Sequence, residues 1–89
     1  MSTQTPMMAR YQAVKSELPT GSLLLFRLGD FYEAFFGDAK TVSETLKLSL
    51  TSRREIPMCG FPFRAHESYV EQLLKAGHKV ALMDEWNSK

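Results

Sequence analysis

A single cysteine, Cys59, stands in the 89 residues, so no internal disulfide can form and a reducing cytoplasm is the expected compartment. Charge of neither sign dominates. Eleven Lys and Arg oppose ten Asp and Glu, for a net charge of +1. That balance argues against strong, sequence-independent attraction to phosphates, which needs clustered positive charge. Long hydrophobic runs are missing too. The longest uncharged apolar stretch, Ser22 to Phe26, is far short of the ~20 residues that a membrane-spanning helix needs, and no membrane partner is expected. The first residues lack a basic segment followed by an apolar one, so no secretory signal is expected. No G-x-x-x-x-G-K-[S/T] phosphate loop occurs, and the length leaves no room for a nucleotide-hydrolysing domain.

Chemistry-bearing spacings are equally scarce. Cys59, His66 and His78 lie seven and twelve residues apart, with no C-x-x-C, H-E-x-x-H or H-x-x-x-H pair. They read as one buried thiol and two surface imidazoles, and no metal is expected. No G-x-S-x-G is present, and Cys59 has no neighbouring partner that would activate it. Asp30 and Glu33 are two nearby carboxylates, but Asp30 reads as a turn residue. The chain is therefore not expected to be an enzyme.

What is present is ordinary globular material, 44% hydrophobic and 24% charged, enough for one modest core. Thr5 and Pro6 suit the N-cap and first position of a helix over Pro6 to Glu17, with Met7, Met8, Tyr11, Val14 and Leu18 on one stripe. Pro19 and Gly21 stop it. Leu23 to Leu28 is a short apolar run, read as a buried strand. Gly29-Asp30 suits a two-residue type II′ turn. Phe31 to Phe36 is then a strand, with Phe31, Glu33 and Phe35 on one face and Tyr32, Ala34 and Phe36 on the other. Asp38 is the expected cap of a second helix near Ala39 to Lys47. Leu48 to Thr51 alternates as a short strand, and Ser52 to Glu55 is a charged turn carrying Arg53 and Arg54. Ile56 to Gly60 reads as a strand or extended edge, since Pro57 cannot donate to a central ladder. A third helix is expected over Ala65 to Ala76, with Tyr69, Val70, Leu73 and Leu74 inward and Gly77 closing it. Lys79 to Met83 is the last strand, and Asp84 to Lys89 is a polar tail. The fold class is α+β, a mixed sheet with three helices packed on it.

The odd feature is the hairpin Gly29-Asp30-Phe31-Tyr32-Glu33. A large ring beside a carboxylate, just after a tight turn, is an unusual pair to place on an outer face. The bland alternative packs Phe31 under a loop and pairs Glu33 with Arg27 across the hairpin.

These residues, from Leu24 through Phe36, resemble the N-terminal mismatch-recognition domain of the MutS DNA mismatch-repair family. So do Met7 to Tyr11, Asp38 to Lys40, Leu48 to Thr51 and Ile56 to Pro62. Tyr69, Leu73, Gly77 and Val80-Ala81 continue the likeness. It covers residues 6–85, with 1–5 and 86–89 as expected tails. The resemblance implies a MutS domain I-like fold and a role for double-stranded DNA with mispaired or unpaired bases. It makes Phe31 an aromatic wedge and Glu33 a contact to the mispaired base. It brings Arg53 to the DNA backbone and Leu28, often Met in relatives, to the same groove. ATP and magnesium belong to the family's ATPase domain, of which this chain has no motif, so no cofactor is expected. The loop from Ser52 to Ile56 is shorter than usual and is expected to present Arg53 and Arg54 differently. Phe63-Arg64-Ala65 replaces the more familiar Tyr-His-Ala. The chain then reads as a truncated product or a small free-standing relative.

Those residue types suit the task. Mispairs share weak stacking and easy deformation rather than one hydrogen-bond pattern. A wedge costs least to insert where a base is already mispaired. A carboxylate near phosphates penalises intact duplex, which is selectivity against the wrong partner. The alternative function is a protein-interaction or regulatory domain with the same fold. It would bind other repair proteins, or a second copy of itself, through the free edge of the last strand.

Overall fold

The computed structural model describes residues 5–83. The first four residues, and the stretch 84–89 that holds the expected domain end and C-terminal tail, lie outside the described residues. In chain order the elements are α1 (Pro6–Ser16), β1 (Ser22–Leu28), β2 (Phe31–Phe35), α2 (Phe36–Leu46), β3 (Thr51–Arg53), β4 (Ile56–Pro62), a single 3-10 turn (Phe63–Ala65), α3 (His66–Lys75) and β5 (Lys79–Met83). The five strands form one mixed sheet in the order β3-β4-β2-β1-β5, with only β1 and β5 parallel among its pairs. This is the expected α+β architecture.

Both faces of the sheet are covered, by different helices. On one face α2 and α3 bring Ala39, Val42, Leu46 and Leu73 onto Leu23, Leu25, Tyr32, Ala34, Cys59 and Phe61. On the other, α1 lays Met8 and Tyr11 on Leu24, Phe26, Phe35 and Ile56. The two-sided cover explains why Leu23 to Phe26 is a continuous apolar run rather than an alternating one.

Local chemistry sets the element ends. Thr5 Oγ1 accepts from Met8 N at 3.2 Å with Pro6 in the first turn. Gly29 takes φ 61° in the tight turn between β1 and β2, as a type II′ turn requires. At the end of α3, Gly77 takes φ 95°, and its N–H reaches Leu74 O while His78 N reaches Leu73 O. That pair of bonds is a Schellman close.

Several expectations shift. Phe36 is not the last residue of a strand but the first of α2, at φ 58°, and it packs toward the α1 side. Phe35, on the same face as Phe31 and Glu33 as alternation predicts, is fully buried because α1 covers that part of the face. Asp38 does not cap α2. It sits in the first turn and reaches back to β1, accepting from Leu24 N at 3.0 Å and pairing with Lys15 Nζ at 2.8 Å. β3 begins at Thr51 rather than ending there, because the turn takes only Arg54 and Glu55. β4 lies inside the sheet, with Pro57 facing the three-residue strand β3. Leu74 points outward from α3 at 54% exposure, and Leu73 fills the core alone at that level. Cys59 is buried as expected, and burial raises its thiol pKa. His66 and His78 are both half-buried rather than surface rings, held near Phe63 and Thr45.

One contact fixes how the hairpin leaves the sheet. The β1–β2 ladder runs from Leu28–Phe31 to Phe26–Glu33. Two residues further, the same register would set Leu24 opposite Phe35. There the Tyr11 hydroxyl stands between the strands instead, donating to Leu24 O at 2.7 Å and accepting from Phe35 N at 3.2 Å. A side chain of α1 thus replaces a missing rung, which satisfies two buried backbone groups that water cannot reach.

Candidate functional site

Residues paired directly across a ladder share a face of the sheet. Leu28 opposes Phe31, Glu33 lies between Phe26 and Gly60, and Arg53 opposes Ile56. Phe26 and Ile56 belong to the cluster beneath α1. Leu28, Phe31, Glu33 and Arg53 are therefore on one face, at the part of it that α1 leaves open.

Phe31 is the first residue of β2, immediately beyond the tight turn, and is 44% exposed. With Asp30, Pro62, Phe63 and Arg64 it lines a surface cleft of about 370 Å³. The backbone under it is fixed: Asp30 O accepts from Phe63 N at 2.6 Å, tying the hairpin tip to the 3-10 turn. Arg27 lies 3.6 Å over the Phe63 ring, and the His66 ring stacks on Phe63 at 4.8 Å. The ring of Phe31 is open on a rim held by these contacts. Leu28 beside it is half-buried, packed against the α1-side cluster.

Glu33 is in a different situation. Its side chain is 17% exposed and pairs with Arg53, with Nη1 to Oε1 at 3.7 Å. That is an ion pair too long to be a hydrogen bond, and its Arg53 side is 48% exposed. Such pairs contribute about 0–1 kcal/mol. Oε1 is itself buried and has no hydrogen-bond partner among the described residues. Arg27 is not the partner, since it points to the opposite face with Tyr32. Nor is Glu33 free of internal charge, as an outward-facing acid would be. The short turn, with Arg54 at φ 51° and Glu55 at φ 68°, folds β3 back so that Arg53 meets Glu33.

Gly60 is the residue that the motifs did not single out. A Cβ there would stand 2.9 Å from Glu33 Cγ and 2.6 Å from Tyr32 O. The missing side chain is what lets Glu33 lie down against the sheet. A glycine inside a strand signals such a close approach.

Burial raises the pKa of Glu33 above the usual carboxylate range, and Arg53 only partly opposes that. The folded state therefore binds this proton more tightly than the unfolded chain does. The resulting stability is present at low pH and is lost as pH rises through the native value. Glu33→Gln keeps the polar group but removes the charge that burial penalises, together with an ion pair that contributes little, and is expected to stabilise the fold by about 1 kcal/mol at pH 7. The gain should shrink toward zero as pH falls to the ordinary carboxylate range. Urea melts of both proteins across that range check it, and a gain that does not change with pH would contradict the assignment.

The sequence profile described as MutS domain I matches residues 5–89. The chain belongs to the MutS domain I family. It is 52% identical over 81 residues to the "DNA mismatch repair protein MutS" of Thermotoga neapolitana, covering 91% of this chain and 10% of that protein. It is 52% identical over 85 residues to the protein of that name from Petrotoga mobilis, covering 96% of this chain and 10% of the relative. A third, from Treponema denticola, is 48% identical over 82 residues, covering 92% of this chain and 9% of its own length. The chain thus spans about a tenth of the length of these MutS relatives. No helix among the described residues is long and apolar enough to cross a membrane.

Proposed function

We propose that this MutS domain I binds duplex DNA at mispaired or unpaired bases, with Phe31 as the inserted ring and Glu33 as the acceptor that meets the displaced base. The observation that carries the reading is the half-exposed ring at the rim of a fixed hairpin, on the same sheet face as a carboxylate oxygen that has no donor. A wedge entering a base step unstacks it at a cost of a few kcal/mol, least where pairing is already defective. Stacking on the ring returns about 1–3 kcal/mol per base. Phe31 thereby turns local weakness of the duplex into affinity without reading sequence.

Glu33 then supplies the discrimination. On a paired duplex no base donor reaches Oε1, and the carboxylate faces phosphates of its own sign. On a mispaired base an N–H donor can satisfy it, and its raised pKa also lets it take a proton and donate. Leu28 adds apolar contact in the groove, and Arg53 contacts a phosphate. The repair role of the whole relatives, a cytoplasmic setting and contacts with other repair proteins belong to the same proposal.

Titrating the chain against a duplex carrying one G·T pair and against its fully paired counterpart tests this. Tighter binding to the G·T duplex is expected, and Glu33→Ala should tighten binding to the paired one. Equal affinities, or weaker paired binding by Glu33→Ala, would sink the reading. The interaction-domain alternative has its own support: among the described residues β5 pairs only with β1, and Leu82 on it is 45% exposed. A domain of that kind shows no duplex preference in the same titration.

A further inference from the structure

We propose that Arg53 is a specificity-determining residue that acts through Glu33: it holds the carboxylate in the free domain and leaves it for a DNA phosphate on binding. This rests on the function proposed above and adds a coupling between its backbone contact and its base contact. The geometry supports an exchange rather than a fixed pair. At 3.7 Å the guanidinium neutralises Glu33 without hydrogen-bonding to it. Its own side chain is 48% exposed, so a phosphate can reach it, while the carboxylate is only 17% exposed and cannot follow. Glu33 lies close over Gly60, where a Cβ would meet its Cγ at 2.9 Å, so the acid is already seated against the sheet when its counter-charge departs. Arg53 gains bidentate, charge-assisted bonds at a phosphate that it does not have at Glu33.

The consequence is a conditional penalty. Capturing Arg53 on any duplex strands a buried carboxylate, and only a base donor, present at a defect, satisfies it. On paired DNA the two demands conflict. On defective DNA both are met. A carboxylate that merely repelled phosphates would impose its penalty whether or not Arg53 were present.

A double-mutant cycle on the whole chain separates the two cases, with a fully paired duplex as the probe. Glu33→Gln should tighten paired binding about two- to five-fold when Arg53 is present, the range an exposed ion pair can carry. In an Arg53→Gln background the same change should do clearly less, because only the direct repulsion by phosphates then remains. Arg53→Gln should also reduce the slope of log affinity against log salt by about 0.9, the signature of one lost phosphate contact. NMR provides a direct readout even at weak affinity: the Arg53 guanidinium and Glu33 carboxyl signals should shift together as paired duplex is added. Additive effects, an unchanged salt slope, or no shift at millimolar duplex would each overturn the exchange. If G·T preference and its dependence on Phe31 survive those outcomes, the exchange alone is wrong. If the preference is absent, the function itself is wrong.

Discussion

Phe31→Ala is expected to weaken binding to a G·T duplex by roughly 5- to 150-fold, the equivalent of the ~1–3 kcal/mol that stacking one base on an aromatic ring provides. Binding to the fully paired duplex should change little, because the ring cannot enter an intact stack without the full cost of unstacking. The asymmetry is the test. A ring that only covered the groove would lose affinity for both duplexes alike. The fold should tolerate the change, since Phe31 is 44% exposed and stands outside both core clusters. Its neighbours keep the rim in place through the Asp30–Phe63 hydrogen bond and the Arg27–Phe63 contact. Phe31→Tyr and Phe31→Trp should retain most of the preference because each keeps a π face, whereas Phe31→Leu should keep apolar bulk and lose it. Fluorescence anisotropy with both duplexes decides the matter, and a thermal melt of each variant shows that the comparison is between folded proteins. Equal losses on the two duplexes would remove the wedge role.

How much of this site was legible from residue order depends on how far apart its parts lie in the chain. The turn at Gly29-Asp30 and the exposure of Phe31 follow from local chemistry, a glycine at positive φ and a short alternating strand. The pairing of Glu33 did not follow. Period-two alternation fixes a face but not which strand lies beside it, and Arg27, close in sequence, was the natural partner to consider. β4 and β3 place Gly60 and Arg53 there instead, across two ladders that no local signal announces. The burial of Phe35 is hidden for a related reason. Alternation assigns it to the face of Phe31 and Glu33, which is correct, but does not show that α1 covers the Phe35 end of that face. Asp38 had the composition of a cap, and a long-range demand from Leu24 N took it elsewhere.

The largest expected loss of stability comes from a single oxygen atom. Tyr11→Phe removes the hydroxyl that bridges Leu24 O and Phe35 N, and both residues are fully buried. The ring itself stays: its edge-on contact with Phe35, at 5.1 Å between centroids, needs no hydroxyl. The change therefore isolates the polar contribution. Two backbone groups lose their only bridge, at about 1–3 kcal/mol for each group left unsatisfied. Less the cost of burying the hydroxyl itself, a net loss of about 2–4 kcal/mol is expected, or a fall of roughly 10–25 °C in Tm for a domain of this size. Asp38 cannot substitute, since it is an acceptor that already serves Leu24 N and Lys15. Burial, followed by the nearby Asp38 carboxylate, raises the tyrosine pKa above its ordinary value, although the bond from Phe35 N lowers it. The parent should therefore keep this contribution at neutral pH and lose it only as pH rises through and beyond the ordinary tyrosine range. Hydrogen exchange gives the residue-level check. The Phe35 amide, protected in the parent by the hydroxyl, should exchange faster in Tyr11→Phe than the general loss of stability accounts for. A change in unfolding free energy below about 0.5 kcal/mol, within the range of an ordinary surface substitution, would mean that the strands close their own gap without the helix.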